Sequence, residues 1–376
     1  MRILIVIYSL DGGGAERVTA NLARLWANRG DKVTVATLSS AAATYQLEPG
    51  IEIVDLNLAK LSEGIGDALL NNICRVSAIR ALIRRLTPDV TIGIMTAANV
   101  LVALAAIGLA TRTVGAERLY PPDLNAGLWW ALARKYVYGL LGRVIAQTRA
   151  ASVWLEANTT ARCVATIPNA VEWPLSESGR SISPSSILRP GRKLILAAGR
   201  LDSQKGFDLL IRAFAALRGD HRDWDVVILG EGPERSALEA CIDGAGLAAM
   251  VFLPGRVGNM ADWYQRAAIF CFSSLSEGFP NVLLEAMAAG VPVISFDCNA
   301  GPRDIIRDGI DGLLVPLGDE RRLAEAMRSL MEDEKVRVQM GVRAVEVRER
   351  FSADRVLTLW DKAFDFTWPA GAQRSP

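Results

Sequence analysis

Short aliphatic and β-branched runs alternate with helical segments along the whole chain, and the rhythm breaks once, at 176–191. That alternation is the strongest constraint on the fold, because strand, helix and strand in series build a parallel sheet with helices on its faces. Before the break, strands are predicted near 3–8, 32–38, 51–56, 90–94, 111–115, 144–147 and 164–167, and helices near 15–28, 67–86, 98–109, 124–141 and 150–157. After it, strands are predicted near 193–198, 225–229, 250–253, 269–272, 291–295 and 312–315, again separated by helices. The interrupting SESGRSISPSSILRPG is rich in Ser, Pro and Gly, the composition of a linker. The expected α/β organisation is an N-terminal Rossmann-like domain at 1–175, a linker at 176–191, a second Rossmann-like domain at 192–350, and a C-terminal helix and tail at 351–376. Trp360 and Phe364 stand at i and i+4 on that helix, so it should pack back on a domain surface. Two such domains facing each other leave a cleft between their carboxyl edges, where ligands are expected.

Several classes of function are disfavoured at once. A formal net charge of +1 removes the electrostatic argument for nucleic acid as a partner. Five cysteines without Cys-x-x-Cys spacing point to buried thiols in a reducing, cytoplasmic compartment. The apolar run at the N-terminus leads into Asp11 and three glycines with no small-residue cleavage site, so it reads as a buried strand. The longest apolar run, 100–110, is about half the ~20 residues that a membrane-spanning helix requires. His221 is the only histidine, which argues against histidine triads and histidine-based metal clusters. Asp223-Trp-Asp225 has the D-x-D form of metal-dependent sugar transferases, but it opens a buried strand at its amino edge and reads as coincidence. No metal site is expected.

The stretch SSLSEGFPNVLLEAMAAG, 273–290, lies between two apolar runs and so forms the loop and helix at a ligand edge. Pro280 suits the first helical turn, good helix formers follow from Asn281, and Gly290 stops them. Glu277 then lies in the loop and Glu285 about one turn into the helix. Helix N-termini favour anions, so two carboxylates beside one make sense if they grip hydroxyls, as of a sugar or a ribose.

Four other segments end strands in the same way. Asp11-Gly-Gly-Gly-Ala-Glu-Arg lets a phosphate or sugar approach the backbone closely, or serves as a tight turn alone. Arg17 replaces the third glycine of a dinucleotide fingerprint and no acidic residue closes the next strand, which weakens that reading. In GRLDSQKG, Arg200 and Lys205 flank a loop at a strand end and suit a leaving diphosphate, or else are solvated cations. Backbone groups of Arg256 and Val257 are placed to meet a nucleobase edge. Glu117-Arg118 suits a polar acceptor or the reacting sugar, with a structural salt bridge as the alternative. The aromatic and basic stretch 127–143, and the helix with Arg75, Arg80, Arg84 and Arg85, suit a membrane surface or, alternatively, a packed core with a solvated basic face.

These residues carry a resemblance that spans both domains: the chain resembles retaining glycosyltransferases of family 4, which have the GT-B fold. The most specific element is the E-x7-E pair Glu277 and Glu285 in SEGFPNVLLEAMAAGVPVIS, joined by GRLDSQKG, IPNAV around Asn169, and GGGAER. The segment DCNAGPRDII, 297–306, further resembles enzymes that extend polyprenyl-diphosphate-linked oligosaccharides in bacteria. The resemblance implies a retaining, metal-independent transfer from a nucleotide sugar, UDP-linked, to a glycan or lipid-linked glycan. It implies no cofactor, and peripheral contact with the cytoplasmic face of the inner membrane through the N-terminal domain. It assigns Arg200 and Lys205 to the donor diphosphate, Glu285 to the ribose, and Glu277 to the donor sugar with the backbone of Gly278, Phe279, Pro280 and Asn281. Gly13 and Gly14 would approach the donor from the other wall, and Glu16, Arg17, Glu117 and Arg118 would lie on the acceptor side. Many members place a histidine on the first-domain side of the donor sugar; this domain has none, and Glu117-Arg118 is expected in its place. The competing readings are a GT-B-fold sugar-nucleotide epimerase, disfavoured by the single histidine, and a nicotinamide-dependent oxidoreductase. An inactive carbohydrate-binding homologue is opposed by the presence of Arg200, Lys205, Glu277 and Glu285.

Overall fold

The first aliphatic run becomes β1 (Arg2–Ile7), buried from its second residue onward. It belongs to a computed structural model that describes residues 1–39, 47–59, 64–124, 127–176, 179–217, 219 and 221–365. The chain parts into two units, one holding residues 1–169 together with 353 onward, the other 170–352.

In the first unit β1 is followed by α1 (Gly14–Asn28), β2 (Lys32–Thr37), β3 (Glu52–Asp55), α2 (Ile65–Leu86), β4 (Val90–Ile94) and α3 (Met95–Ala105). Then come β5 (Arg112–Ala116), α4 (Leu128–Val137), β6 (Arg143–Ala146), α5 (Arg149–Asn158) and β7 (Val164–Thr166). The seven strands lie parallel in the order β3-β2-β1-β4-β5-β6-β7. All seven expected strands are present. Two helices differ from expectation. The helix expected from 98 begins at Met95, whose φ of 73° turns the chain straight out of β4. The helix expected over 124–141 is α4 alone, with one-turn 3₁₀ segments at Pro121–Asp123 and Tyr138–Leu140.

The second unit contains β8 (Lys193–Ala198), α6 (Phe207–Ala215), β9 (Trp224–Leu229), α7 (Arg235–Gly244), β10 (Val251–Gly255), α8 (Met260–Arg266) and β11 (Ile269–Phe272). It continues with α9 (Asn281–Ala288), β12 (Val293–Asp297), α10 (Pro302–Ile305), β13 (Gly312–Pro316), α11 (Glu320–Glu332), α12 (Glu334–Ala344) and α13 (Val347–Arg350). Its parallel sheet runs β10-β9-β8-β11-β12-β13. Alternate residues of β8 feed two cores, Leu194 and Leu196 joining Leu283 and Met287, while Ile195 and Ala197 join Phe214 and Met327. A strand that is apolar on both faces requires helices on both faces. Asp225, in the D-x-D, is fully buried near the amino end of β9 and held by Arg192 Nε at 3.1 Å.

The segment expected as a linker is tied to the second unit. Ile182 exchanges backbone bonds with the Asn259 side chain (3.0 and 3.1 Å) and accepts one from Trp263 Nε1 (3.0 Å). The division between the units therefore falls earlier, at Asn169 and Ala170. The chain returns to the first unit as α14 (Ala353–Phe364), where Trp360 meets Trp26 edge-on at 5.5 Å and Asp361 pairs with Arg29 at 2.7 Å. The expected i, i+4 pair does pack back on a domain; the tail beyond 365 lies outside the described residues. No helix among the described residues is long and apolar enough to cross a membrane.

Each sheet reverses its direction of growth once, between β1 and β4 in the first unit and between β8 and β11 in the second. At such a switch point the loops leave the carboxyl edge in opposite directions and open a crevice. The glycine-rich loop after β1, GRLDSQKG after β8 and the Glu277 stretch after β11 fall there, whereas Glu117-Arg118 follows β5 and Arg256-Val257 follows the edge strand β10.

Candidate active site

At the second unit's switch point, the loop after β8 passes through a 3₁₀ turn (Ser203–Lys205) to Gly206, and the loop after β11 runs to Pro280. Three contacts lace them together. Leu275 N donates to Gln204 O (2.8 Å), Ser273 Oγ donates to Lys205 O (2.9 Å), and the Gln204 amide donates to the Ser276 carbonyl. Gly206 permits this approach: its φ is 57°, and a Cβ there would run into the Ser273 carbonyl oxygen. Lys205 is thereby aimed at Glu277, with Nζ 2.6 Å from Oε1 and side chains only 19% and 11% exposed. Lys205 Nζ also lies 5.9 Å from the centre of the Phe272 ring.

Arg200 differs from Lys205. Its side chain is 72% exposed and its Nε pairs with Asp202 Oδ2 at 2.6 Å. The other Asp202 oxygen is buried with no hydrogen-bond partner among the described residues. Asp202 was passed over in the sequence although it stands inside GRLDSQKG, because a carboxylate beside two cations reads as ordinary surface charge.

Glu285 sits one turn into α9 and is almost completely buried, with Tyr264 Oη 3.2 Å from its Oε2. Tyr264, on α8, was not singled out, since nothing in its local pattern separates it from a core aromatic. Gly278, Phe279 and Pro280 are buried and Asn281 is half-buried. Phe279 packs edge-on against Phe351 at 5.6 Å, which anchors the loop. Gly301, at φ 99°, brings the following segment against it, and a Cβ there would lie 2.7 Å from Pro280 Cδ. Cys298 is buried close by and donates to the Ala300 carbonyl at 3.3 Å. Burial, and then the Glu277 carboxylate, push its thiol up to about 12, so it is an uncharged packing group. Arg256 is exposed and Val257 half-buried at the end of β10.

In the first unit Gly13 caps α1 and Gly14 begins it. The Glu16 carboxylate folds back so closely over Gly13 that a Cβ there would overlap it. Glu16 thus occupies the spot a helix N-terminus offers an anion. Arg17 follows, half-buried, in the same first turn. At the end of β5, Glu117 is turned inward. Its Oε1 accepts from Thr96 Oγ1 (2.9 Å) and, in a short contact, from the Tyr138 hydroxyl, which also accepts from Asn99 Nδ2 (2.9 Å). Gly93 and Gly115 leave the space that Asn99 fills. Burial raises the Glu117 carboxyl above its usual range and holds the Tyr138 hydroxyl well above its own. These partners are on α3 and after α4, so the salt bridge weighed between Glu117 and Arg118 is not what either side chain makes.

Arg118 is almost fully buried. Its Nη1 lies 3.4 Å from Asn169 Oδ1 and its guanidinium 5.7 Å from the centre of the Trp360 indole. Nε and Nη2 have no hydrogen-bond partner among the described residues, and burial lowers the group to about 10. Gln147, after β6, donates to the same Asn169 oxygen at 2.5 Å. Arg118, Gln147 and Asn169 thus converge from the ends of β5, β6 and β7.

Residues 12–172 match the family described as Glycosyltransferase Family 4, and residues 180–347 match Glycosyl transferases group 1. A Campylobacter jejuni protein named N-acetylgalactosamine-N,N'-diacetylbacillosaminyl-diphospho-undecaprenol 4-alpha-N-acetylgalactosaminyltransferase is 30% identical over 342 residues, 89% of this chain and 91% of its own. The chain belongs to glycosyltransferase family 4. The glycosyltransferase is also 39% identical over 224 residues to an exopolysaccharide phosphotransferase of Streptomyces coelicolor, which covers 59% of this chain and 23% of that longer protein. Among solved structures, Anabaena HepE in complex with UDP aligns with a TM-score of 0.79 at 20% identity, over 96% of this chain and 99% of that one. The glycosyltransferase therefore has the GT-B architecture that the resemblance implied.

Proposed function

We propose that this glycosyltransferase is a retaining enzyme that moves a hexose or N-acetylhexosamine from a UDP-sugar to a polyprenyl-diphosphate-linked glycan. The observation that carries the reading is the Lys205–Glu277 contact at the switch point of the second sheet. A cation suited to the leaving diphosphate and a carboxylate suited to sugar hydroxyls stand side by side, as the two halves of a nucleotide-sugar bond require. The name of the C. jejuni relative includes a diphospho-undecaprenol acceptor, and HepE was solved with UDP; both support the choice of substrates.

In this scheme Arg200 and Lys205 bind the diphosphate, helped by the backbone N–H groups at the start of α9, whose N-cap residue Pro280 makes no side-chain cap. Glu285 binds the ribose, and Arg256 and Val257 offer backbone groups to the base. Glu277 and the backbone from Gly278 to Asn281 hold the sugar. Gly13 and Gly14 are assigned to the donor, and Glu16, Arg17 and Arg118 to the acceptor side. Glu117, whose carboxyl is bonded internally, is assigned to shaping the loop that carries Arg118. The acceptor hydroxyl attacks the anomeric carbon from the face that the diphosphate leaves, so configuration is retained. The C–O bond to the β-phosphate breaks as the new glycosidic bond forms, and a β-phosphate oxygen takes the hydroxyl proton. The cations lower the barrier by stabilising charge that develops on the leaving group. No cofactor enters the scheme. A lipid-linked acceptor would place the enzyme peripherally on the cytoplasmic face of the inner membrane.

The test is UDP release from a panel of UDP-sugars, with and without lipid-linked acceptor. Acceptor-dependent release with an α-linked product from an α-linked donor is expected. An inverted product, or epimerisation of the donor without acceptor, would overturn the reading.

A further inference from the structure

Arg200 reaches the switch point with a fixed backbone and a loose side chain. Gly199 N donates to Leu229 O and Leu201 N to Glu231 O, each at 2.9 Å, and a Cβ on Gly230 would overlap the Gly199 carbonyl oxygen. The chain on either side of Arg200 is thus wedged against the end of β9 and the loop after it. The side chain, 72% exposed, makes one polar contact among the described residues, from Nε to Asp202 Oδ2 at 2.6 Å. A long exposed arginine has many rotamers open to it, and this contact selects among them. Because it is made through Nε, both terminal nitrogens of the guanidinium are left for a ligand, the fork that grips phosphate oxygens.

Asp202 is held more firmly than the arginine it holds. Its side chain is 16% exposed, its N–H donates to Arg200 O at 2.8 Å, and its carbonyl accepts from Lys205 N at 3.1 Å. Its backbone is therefore bonded to both cations assigned to the diphosphate. The carboxylate itself is ill placed for stability and for binding. Its Oδ1 is buried with no hydrogen-bond partner among the described residues, which costs the folded state, and its charge opposes the diphosphate that Arg200 and Lys205 are proposed to bind. What it does to Arg200 accounts for an acid at this point. We propose that Asp202 is a positioning residue that aims the Arg200 guanidinium at the leaving diphosphate. The inference rests on the reading of Arg200 as a cation for that group. Aim matters most as charge builds on the leaving oxygen, where a misdirected cation loses more than it does against the diphosphate at rest.

The expected result is a split between turnover and binding. Asp202→Ala should lower kcat for UDP release about tenfold while its affinity for UDP by calorimetry stays within about threefold of the wild type, since lost aim and relieved repulsion act in opposite directions. Asp202→Asn keeps an oxygen for Nε without the charge and should recover turnover to within about threefold. Calorimetry in an Arg200→Ala background isolates the contact. There Asp202 has nothing to aim and only repels, so adding Asp202→Ala should tighten UDP about fivefold or more. Asp202→Ser, also too short to reach Nε, replaces Asp202→Ala should that variant not fold. An equal change in UDP affinity with and without Arg200, near-normal turnover in Asp202→Ala, or an Asp202→Asn variant as slow as Asp202→Ala would each overturn the proposal. So would a joint loss of turnover, UDP affinity and melting temperature in Asp202→Ala, the pattern of a carboxylate that only braces the loop. A wild type that binds UDP but transfers no sugar overturns the functional reading alone, because the calorimetric cycle still decides whether Asp202 acts through Arg200. A wild type that binds no UDP overturns both.

Discussion

Lys205 and Glu277 stand 72 residues apart in the chain and meet at 2.6 Å. One follows β8 and the other β11, the two strands on either side of the sheet's reversal, so the topology itself delivers the pair to the crevice. Each orients the other. In the proposed reaction the two would flank the bond that breaks, Lys205 on the phosphate side and Glu277 on the sugar side.

Lys205→Ala and Glu277→Ala should each lower turnover by about 100-fold or more, the typical loss when one charged group is withdrawn from a transition state. UDP release by purified variants checks this. Near-normal turnover in either, with the fold intact by circular dichroism, would remove the pair from the chemistry.

Gly206→Ala tests how the pair is positioned. The left-handed φ of 57° costs an alanine about 1 kcal/mol or more, and the new Cβ would meet the Ser273 carbonyl. A stability loss of about 1–3 kcal/mol by urea titration is expected, together with a fall in turnover as Lys205 is displaced. Unchanged stability would mean that the two loops are not packed as described.

Glu285→Ala should weaken UDP binding by about 1.5–3 kcal/mol, the usual worth of hydrogen bonds to a charged group, which is roughly tenfold to 100-fold by calorimetry. Tyr264→Phe removes only a hydroxyl 3.2 Å from that carboxylate and should have a smaller effect in the same direction. An unchanged UDP affinity in Glu285→Ala would rule out the ribose role.

The strands were legible because an aliphatic run between helical segments leaves little alternative, and each of the predicted strands exists with its ends shifted by at most two residues. The motif loops were legible for the same reason, since a strand end followed by glycine or a helix start is a carboxyl edge. What the sequence did not show were partners distant in the chain. Glu117 looked like a ligand group beside Arg118, but Thr96 and Tyr138, each 21 residues away, take its oxygens. The linker looked free because its Ser, Pro and Gly content is that of a tether, whereas the Asn259 side chain, 77 residues on, clasps Ile182. Met95 moved the start of α3 because a non-glycine residue at positive φ is not foreseeable from pattern.

The raised Glu117 carboxyl makes a prediction about pH. Between the ordinary value of 4.5 and its higher folded value, the folded protein holds a proton that the unfolded chain has released. Stability from this group is therefore fully present below about 4.5 and is lost as pH rises through the folded value. Glu117→Gln removes that dependence while keeping an oxygen for Thr96 and Tyr138. The melting temperature of the wild type relative to Glu117→Gln should fall as pH is raised from 4.5 to 8. A constant difference would show that the carboxyl titrates normally.

Arg118 is the opposite case, a buried cation with no carboxylate partner among the described residues. Two of its nitrogens lack partners among them and the guanidinium rests near Trp360, so the folded chain carries the cost of desolvating a charge that no described residue neutralises. Arg118→Met keeps most of the length and the packing on Trp360 while removing the charge. If the arginine is retained for an anionic or polar acceptor, the variant should be more stable by about 1–3 kcal/mol, yet slower in acceptor-dependent transfer by about tenfold or more. Its affinity for UDP should not change. The pH dependence has a definite sign: burial lowers the folded arginine to about 10, below the unfolded one, so this group's contribution to wild-type stability rises with pH above 10 and the advantage of the variant shrinks there. The alternative is that Arg118 is a brace between Asn169 and α14. A brace predicts a lower melting temperature for Arg118→Met and unchanged transfer per folded molecule, so one melt and one transfer assay separate the two roles.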